Sequence, residues 1–186
     1  HVPSRMHAKD SSLYDFSEVA LESARDFMGW TDLASNPPTP LDKIEAFAAD
    51  VAKDDVTYVG LLGEGGSSQA PMTITKLCAA LHPHVRFSTL DSLSPVYVKQ
   101  ILHGVDYAHA MFIVSSKSGG TLETLSIYHV IWDDVVRELG ETEAGRHFVA
   151  ITDPGSDLER LAHERNFRGV FLGEPTVGGR FSALSV

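Results

Sequence analysis

The segment Ser115-Ser116-Lys117-Ser118-Gly119-Gly120-Thr121 sets hydroxyls, glycines and one lysine directly after an apolar run, Ala110 to Val114. A helical pattern opens immediately beyond it, at Leu122-Glu123-Thr124-Leu125. A loop in that position has the chemistry of an anion pocket. Backbone N–H groups at a helix N-terminus lack intrahelical partners, and the macrodipole adds partial positive charge there. Glycines let the backbone approach a ligand closely, and Ser and Thr hydroxyls donate further hydrogen bonds. The segment reads as a phosphate cradle whose polar groups are Ser116, Lys117, Ser118 and Thr121. Simple helix capping, with Lys117 a solvated surface charge, is the competing reading.

Two other stretches have the right residue types. Gly63-Glu64-Gly65-Gly66-Ser67-Ser68 follows the first strand candidate and leads into a helix, the place where α/β folds bind phosphates or nucleotides. Its glycine spacing departs from a dinucleotide fingerprint, and no Gly-Lys-Ser/Thr triplet closes it as a P-loop. A tight turn with Ser67 or Ser68 as helix cap accounts for it equally well. Glu64 is the odd member, because a carboxylate repels phosphate. Either it points away, or this loop holds the sugar part of a ligand. The third stretch, Val177-Gly178-Gly179-Arg180-Phe181-Ser182, offers Arg180, a permanent charge in a planar fork suited to oxyanions. A surface turn with a solvated arginine is its alternative.

Other candidates fall away. His82-Pro83-His84 has no acidic or cysteine partner nearby in sequence, so no metal site is expected. Asp153-Pro154-Gly155-Ser156 reads as a turn leading into a capped helix.

The elements that must position these residues alternate from Thr57 onward. Strands are expected at Tyr58–Leu62, Val85–Leu90, Met111–Ser115, Phe148–Thr152 and Val170–Leu172, and helices at Ser68–Leu81, Pro95–Leu102, Leu122–Leu139 and Ser156–Arg165. Short, nearly continuous apolar strands between helices imply an α/β fold, a doubly wound five-stranded parallel sheet covered on both faces. Ligands then bind outside the carboxyl ends of the strands. In a flavodoxin-like order the first and third strands are neighbours, which brings the two glycine loops together. Residues 1–56 are expected to form an N-terminal helical extension and 57–186 the binding domain. In the extension the first dozen residues read as irregular. Ser17 caps one helix, with Ala20, Leu21, Ala24, Phe27 and Met28 on one face. Thr39 caps a second, with Pro40 at its first position.

Composition excludes several classes. The 186 residues are 43% hydrophobic and 22% charged, as in an ordinary globular chain. With 25 acidic against 15 basic residues and a net charge of −10, a general nucleic-acid surface is not expected. No apolar run approaches the ~18 residues of a membrane span, and the expected location is cytoplasmic. The single cysteine, Cys78, reads as a small core residue in a helix. The sequence opens on His1 and stops at Val186 in what reads as the start of another element, so a piece of a longer protein is expected.

Taken in order, Gly63-Glu64-Gly65-Gly66-Ser67-Ser68, Ser116-Lys117-Ser118-Gly119-Gly120-Thr121-Leu122-Glu123-Thr124 and Gly178-Gly179-Arg180-Phe181-Ser182 resemble the glucose-6-phosphate isomerase family, in its N-terminal sugar-isomerase (SIS) domain. Leu90-Asp91-Ser92 and Ile151-Thr152-Asp153-Pro154-Gly155-Ser156 add to the likeness. The early segment from Lys9-Asp10 to Gly29-Trp30 is similar to the isomerase part of bacterial transaldolase–isomerase fusions. The resemblance implies a cofactor-free aldose–ketose isomerase of glycolysis and gluconeogenesis, acting on a sugar phosphate and homodimeric as a full-length protein. It implies that Ser116, Lys117, Ser118 and Thr121 bind the phosphate, that Gly66 and Ser67 contact the sugar phosphate, and that Arg180 stabilises the enediolate. Gly120 stands where the family often has threonine, and Glu64 where it usually has an apolar residue. The family's base, ring-opening histidine and second lysine match no residue here, so the chain alone is expected to be inactive. A non-catalytic sugar-phosphate sensor built on the same domain is the alternative.

Overall fold

Residues 1–13 and 17–184 are described by the computed structural model, the side chains of Arg180, Ala183 and Leu184 excepted. Five strands, β1 (Tyr58–Leu62), β2 (Arg86–Leu90), β3 (Ala110–Ser115), β4 (Phe148–Thr152) and β5 (Gly169–Leu172), form one all-parallel sheet in the order β2-β1-β3-β4-β5. β1 and β3 are neighbours, so the direction of winding reverses between them. The register pairs Leu62 with Val114, which makes Gly63 and Ser115 the adjoining residues where the two strands run out.

Alternation along the strands divides the core. Tyr58, Leu62, Phe112, Val114, Phe148 and Ala150 face one side, where α5 (Pro95–Leu102), α6 (Leu122–Leu139) and α7 (Asp157–Glu164) cover them. Phe112 stacks on Phe148 at 5.5 Å between ring centroids, and Tyr128 of α6 meets Phe148 edge-on at 5.4 Å. Met111, Val149 and Phe171 face the other side, against Ile44, Phe47 and Val51 of α3 (Leu41–Val51). Each fully buried side chain of this kind contributes about 1.5–3 kcal/mol. The sheet is thereby a fixed platform at its carboxyl edge: Leu62 and Val114 have no exposure and Thr152 only 2%.

Several local expectations are corrected. Val2–His7 is a helix, α1, with Pro3 in its first turn, where the missing N–H costs nothing. Helix α2 (Glu18–Asp26) has Ser17 as cap, its side chain accepting from the Ala20 N–H. It ends before Met28, which is buried on its own account while Phe27 is exposed. Thr39 does not cap α3: Pro40 occupies that position, and the Thr39 hydroxyl donates to the Leu172 carbonyl at 3.2 Å. α4 (Gly66–Cys78) starts earlier than expected, with Gly65 as its N-cap. Neither Ser67 nor Ser68 caps it. Cys78 is exposed, not in the core, on a helix whose Ile74 and Leu77 are also exposed. Among the described residues no helix is long and apolar enough to cross a membrane.

Candidate functional site

A cleft of about 350 Å3 opens at the carboxyl ends of β1, β3 and β4. Glu64, Ser67, Ser115, Ser116, Lys117, Ser118, Thr121, Asp153, Gly179 and Ser182 line it. Three loops read separately in the sequence therefore meet around one space, at the point where the winding reverses.

The loop after β3 is built for this place. Ser116 donates its N–H to the Ile151 carbonyl at 3.1 Å, which prolongs the ladder with β4 by one rung. The chain then turns through Gly119, whose φ of +70° suits glycine, and whose absent Cβ would lie 2.6 Å from that of Ser156. The turn directs the Ser116 and Thr121 hydroxyls at each other, 2.8 Å apart, and Ser118 accepts from the Gly120 N–H at 3.3 Å. Thr121 is the N-cap of α6 without making a side-chain cap. Its hydroxyl faces the cleft beside the open end of an eighteen-residue helix. Hydroxyls and unpaired N–H groups converge there, an arrangement that accepts an anion.

Lys117 is neither solvated nor free. Its ammonium is ion-paired with Asp153, both side chains being 19% exposed, and it donates to the Pro175 carbonyl at 2.9 Å. Asp153 in turn donates its N–H to the Lys117 carbonyl at 3.0 Å, so the β3 and β4 loops are joined twice. Thr152 and Ser156 back this joint, with hydroxyls 2.8 Å apart. Among the described residues, the positive charge of Lys117 at the cleft is thus already matched by a carboxylate.

On the β1 side, Gly63 approaches β3 so closely that a Cβ would come within 3.2 Å of the Ser115 carbonyl. Gly65 has φ +56° and ψ −118°, a conformation for glycine, and starts α4 at Gly66. Freed from capping, the Ser67 hydroxyl lies 3.2 Å from that of Ser182 and draws the third loop over the cleft. Glu64 lines the cleft. Its carboxyl is held above its ordinary pKa by burial, and further by the Asp91 and Glu123 carboxylates. Gly179–Leu184 forms a 3-10 helix packed against α4. The Arg180 side chain, the expected oxyanion stabiliser, lies outside the described residues.

The structure therefore brings together Ser67, Ser116, Lys117, Ser118 and Thr121, with Gly66 at the adjacent helix start. Asp153, not among the expected site residues, also lines the cleft, as does Ser115, the first residue of the segment read as the cradle. Asp153 stands one residue past a strand end, a position that counts for more than the turn-forming dipeptide that follows it.

The phosphoglucose isomerase family model matches residues 44–186. The chain belongs to the phosphoglucose isomerase family. Among its relatives in that family, glucose-6-phosphate isomerase of Acaryochloris marina is 36% identical over 157 residues, 79% of this chain and 29% of the relative. That of Thermus thermophilus is 33% identical over 158 residues, 85% of this chain and 37% of the relative. The crystal structure of a hypothetical protein, also from Thermus thermophilus, superposes on all of this chain and 42% of its own, with a TM-score of 0.75 and 29% identity. A glucose-6-phosphate isomerase from Chlamydia trachomatis shares the fold, at a TM-score of 0.67 and 23% identity, over 32% of its length. The chain thus spans roughly a third of the phosphoglucose isomerases it matches.

Proposed function

We propose that this chain is the sugar-phosphate-binding portion of an isomerase that interconverts glucose 6-phosphate and fructose 6-phosphate. One observation carries the reading: the Ser116–Thr121 loop and the glycine loop before α4 line the same cleft. The phosphate sits against the Ser116, Ser118 and Thr121 hydroxyls, the loop amides and the N-terminus of α6, with Ser67 closing the other side. Lys117 acts mainly by fixing the loop to β4, since Asp153 already matches its charge. Arg180, on the third loop, serves the enediolate that forms as a proton moves between C2 and C1. A fixed cation is worth most where negative charge develops.

The chain by itself binds and does not turn over. Proton transfer without a positioned base loses about 10²–10⁴-fold in rate, and no residue here matches the family's base or its ring-opening histidine. The full-length protein, on this reading, is a cytoplasmic homodimer. The test combines fructose 6-phosphate binding with a coupled isomerase assay on protein free of host isomerase. Saturable binding without turnover is expected. Turnover by the chain alone would refute the division of labour, and absence of binding by folded protein would refute the function.

A further inference from the structure

On the β1 side the lining of the cleft includes one residue that does not suit a phosphate. Glu64 brings a carboxylate into it, and Asp91 beyond β2 and Glu123 in the first turn of α6 add like charge nearby. Among the described residues no cation pairs with Glu64; Lys117, across the cleft, is held by Asp153. Beside it Ser115, 8% exposed, lines the same cleft, and its hydroxyl makes no hydrogen bond among the described residues. Gly63, the residue before Glu64, adjoins Ser115, since a Cβ on Gly63 would be 3.5 Å from that of Ser115. A carboxylate and a serine hydroxyl lining one cleft suit a ligand rich in hydrogen-bonding groups. The same cleft holds the anion cradle, and the volume of about 350 Å3 leaves room beyond a phosphate group.

We propose that Glu64 and Ser115 form a specificity subsite for the hydroxyl-bearing end of the ligand, with the Glu64 carboxylate accepting hydrogen bonds from the sugar while the phosphate lies against Ser116 and Thr121. This rests on the sugar-phosphate reading above and adds to it the orientation of the ligand. A carboxylate facing donors repels the phosphate less when the phosphate lies against Ser116 and Thr121 than in the reversed pose, in which the phosphate would meet Glu64.

The experiment measures the affinity of the 186-residue chain for two probes, inorganic phosphate and glucose 6-phosphate, in the wild type, Glu64→Met and Ser115→Ala. Loss of a hydrogen bond to a charged group weakens binding by about ten-fold or more. Glu64→Met is expected to weaken glucose 6-phosphate by that amount and to leave inorganic phosphate unchanged or slightly tighter. Ser115→Ala shifts the same ratio in the same direction by a smaller factor, and it tests the subsite even where Glu64→Met fails to fold. Equal tightening of both probes in Glu64→Met would overturn the proposal, because the carboxylate would then face the phosphate. An unchanged ratio in both variants would overturn it too. Failure of the wild type to bind either probe would remove the sugar-phosphate reading itself, a result distinct from an unchanged ratio.

Discussion

Lys117 and Asp153 are ion-paired across the carboxyl ends of β3 and β4, and backbone hydrogen bonds on either side make that pair the joint between two loops of the cleft. The pairing assigns the lysine a mechanical role. It also sets an electrostatic limit on the site, because a matched pair attracts an incoming dianion far less than a free ammonium does.

Removing the charge of Asp153 while keeping its shape therefore frees Lys117 for the ligand. Asp153→Asn is expected to tighten inorganic phosphate roughly three- to ten-fold at low salt, less at high salt. Asp153→Ala, which breaks the joint and leaves a half-buried ammonium, costs about 1–3 kcal/mol of stability. Phosphate titration and urea denaturation check the two halves. Unchanged affinity in Asp153→Asn would mean that Lys117 stays out of reach of the anion.

The adjacent glycines of the same loop behave differently. Gly119 has φ +70° and no room for a Cβ beside Ser156 and the Leu158 N–H, whereas a Cβ on Gly120 meets nothing within 4 Å. Gly119→Ala is expected to destabilise by about 1–3 kcal/mol. Gly120→Ala stays within about 0.5 kcal/mol of wild type. Gly120→Thr folds as well and adds a hydroxyl beside the cradle. Thermal unfolding of the three variants separates these cases.

Glu64 gives the site a pH signature. Its carboxyl is raised above the ordinary value of 4.5 by burial, then by Asp91 and Glu123, so the folded state holds its proton more tightly than the unfolded state. The cost of keeping it ionised is fully present above the folded pKa and vanishes once the pH falls below the unfolded value. Glu64→Gln is accordingly more stable than wild type at neutral pH, and the gap closes as the pH approaches about 4.5. Stability curves of the two proteins from pH 7 to pH 4 decide it. A constant gap, or one that widens in acid, would contradict the assignment.

Much of the frame was legible in the sequence because burial on both faces writes itself as unbroken apolar runs. Tyr58–Leu62 and Phe148–Thr152 are strands over the expected residues, and Leu122–Leu139 and Pro95–Leu102 are helices to the residue. Local rules failed where a distant group competed. Thr39 has the type of a cap, yet the Leu172 carbonyl at the end of β5 takes its hydroxyl. Ser67 likewise gives up capping for Ser182, 115 positions away in the chain. Cys78 followed a helical apolar period, but that period includes Ile74 and Leu77, a face that nothing covers among the described residues. At the site, the cradle loop was readable as a unit because its groups are contiguous. Asp153 reaches the cleft only because the sheet register sets β4 beside β3, which no local spacing encodes.

On the function proposed above, phosphate binding by the Ser116–Thr121 loop is what recognises the sugar phosphate. It is tested most directly by calorimetric titration of 6-phosphogluconate into the wild-type chain and into Ser116→Ala/Thr121→Ala, with circular dichroism to establish that the variant is folded. The two hydroxyls lie 2.8 Å apart at the mouth of α6, so their joint loss is expected to cost at least about a hundred-fold in affinity and to abolish measurable heat. Undiminished binding by the folded double variant would contradict the claim and move the phosphate elsewhere.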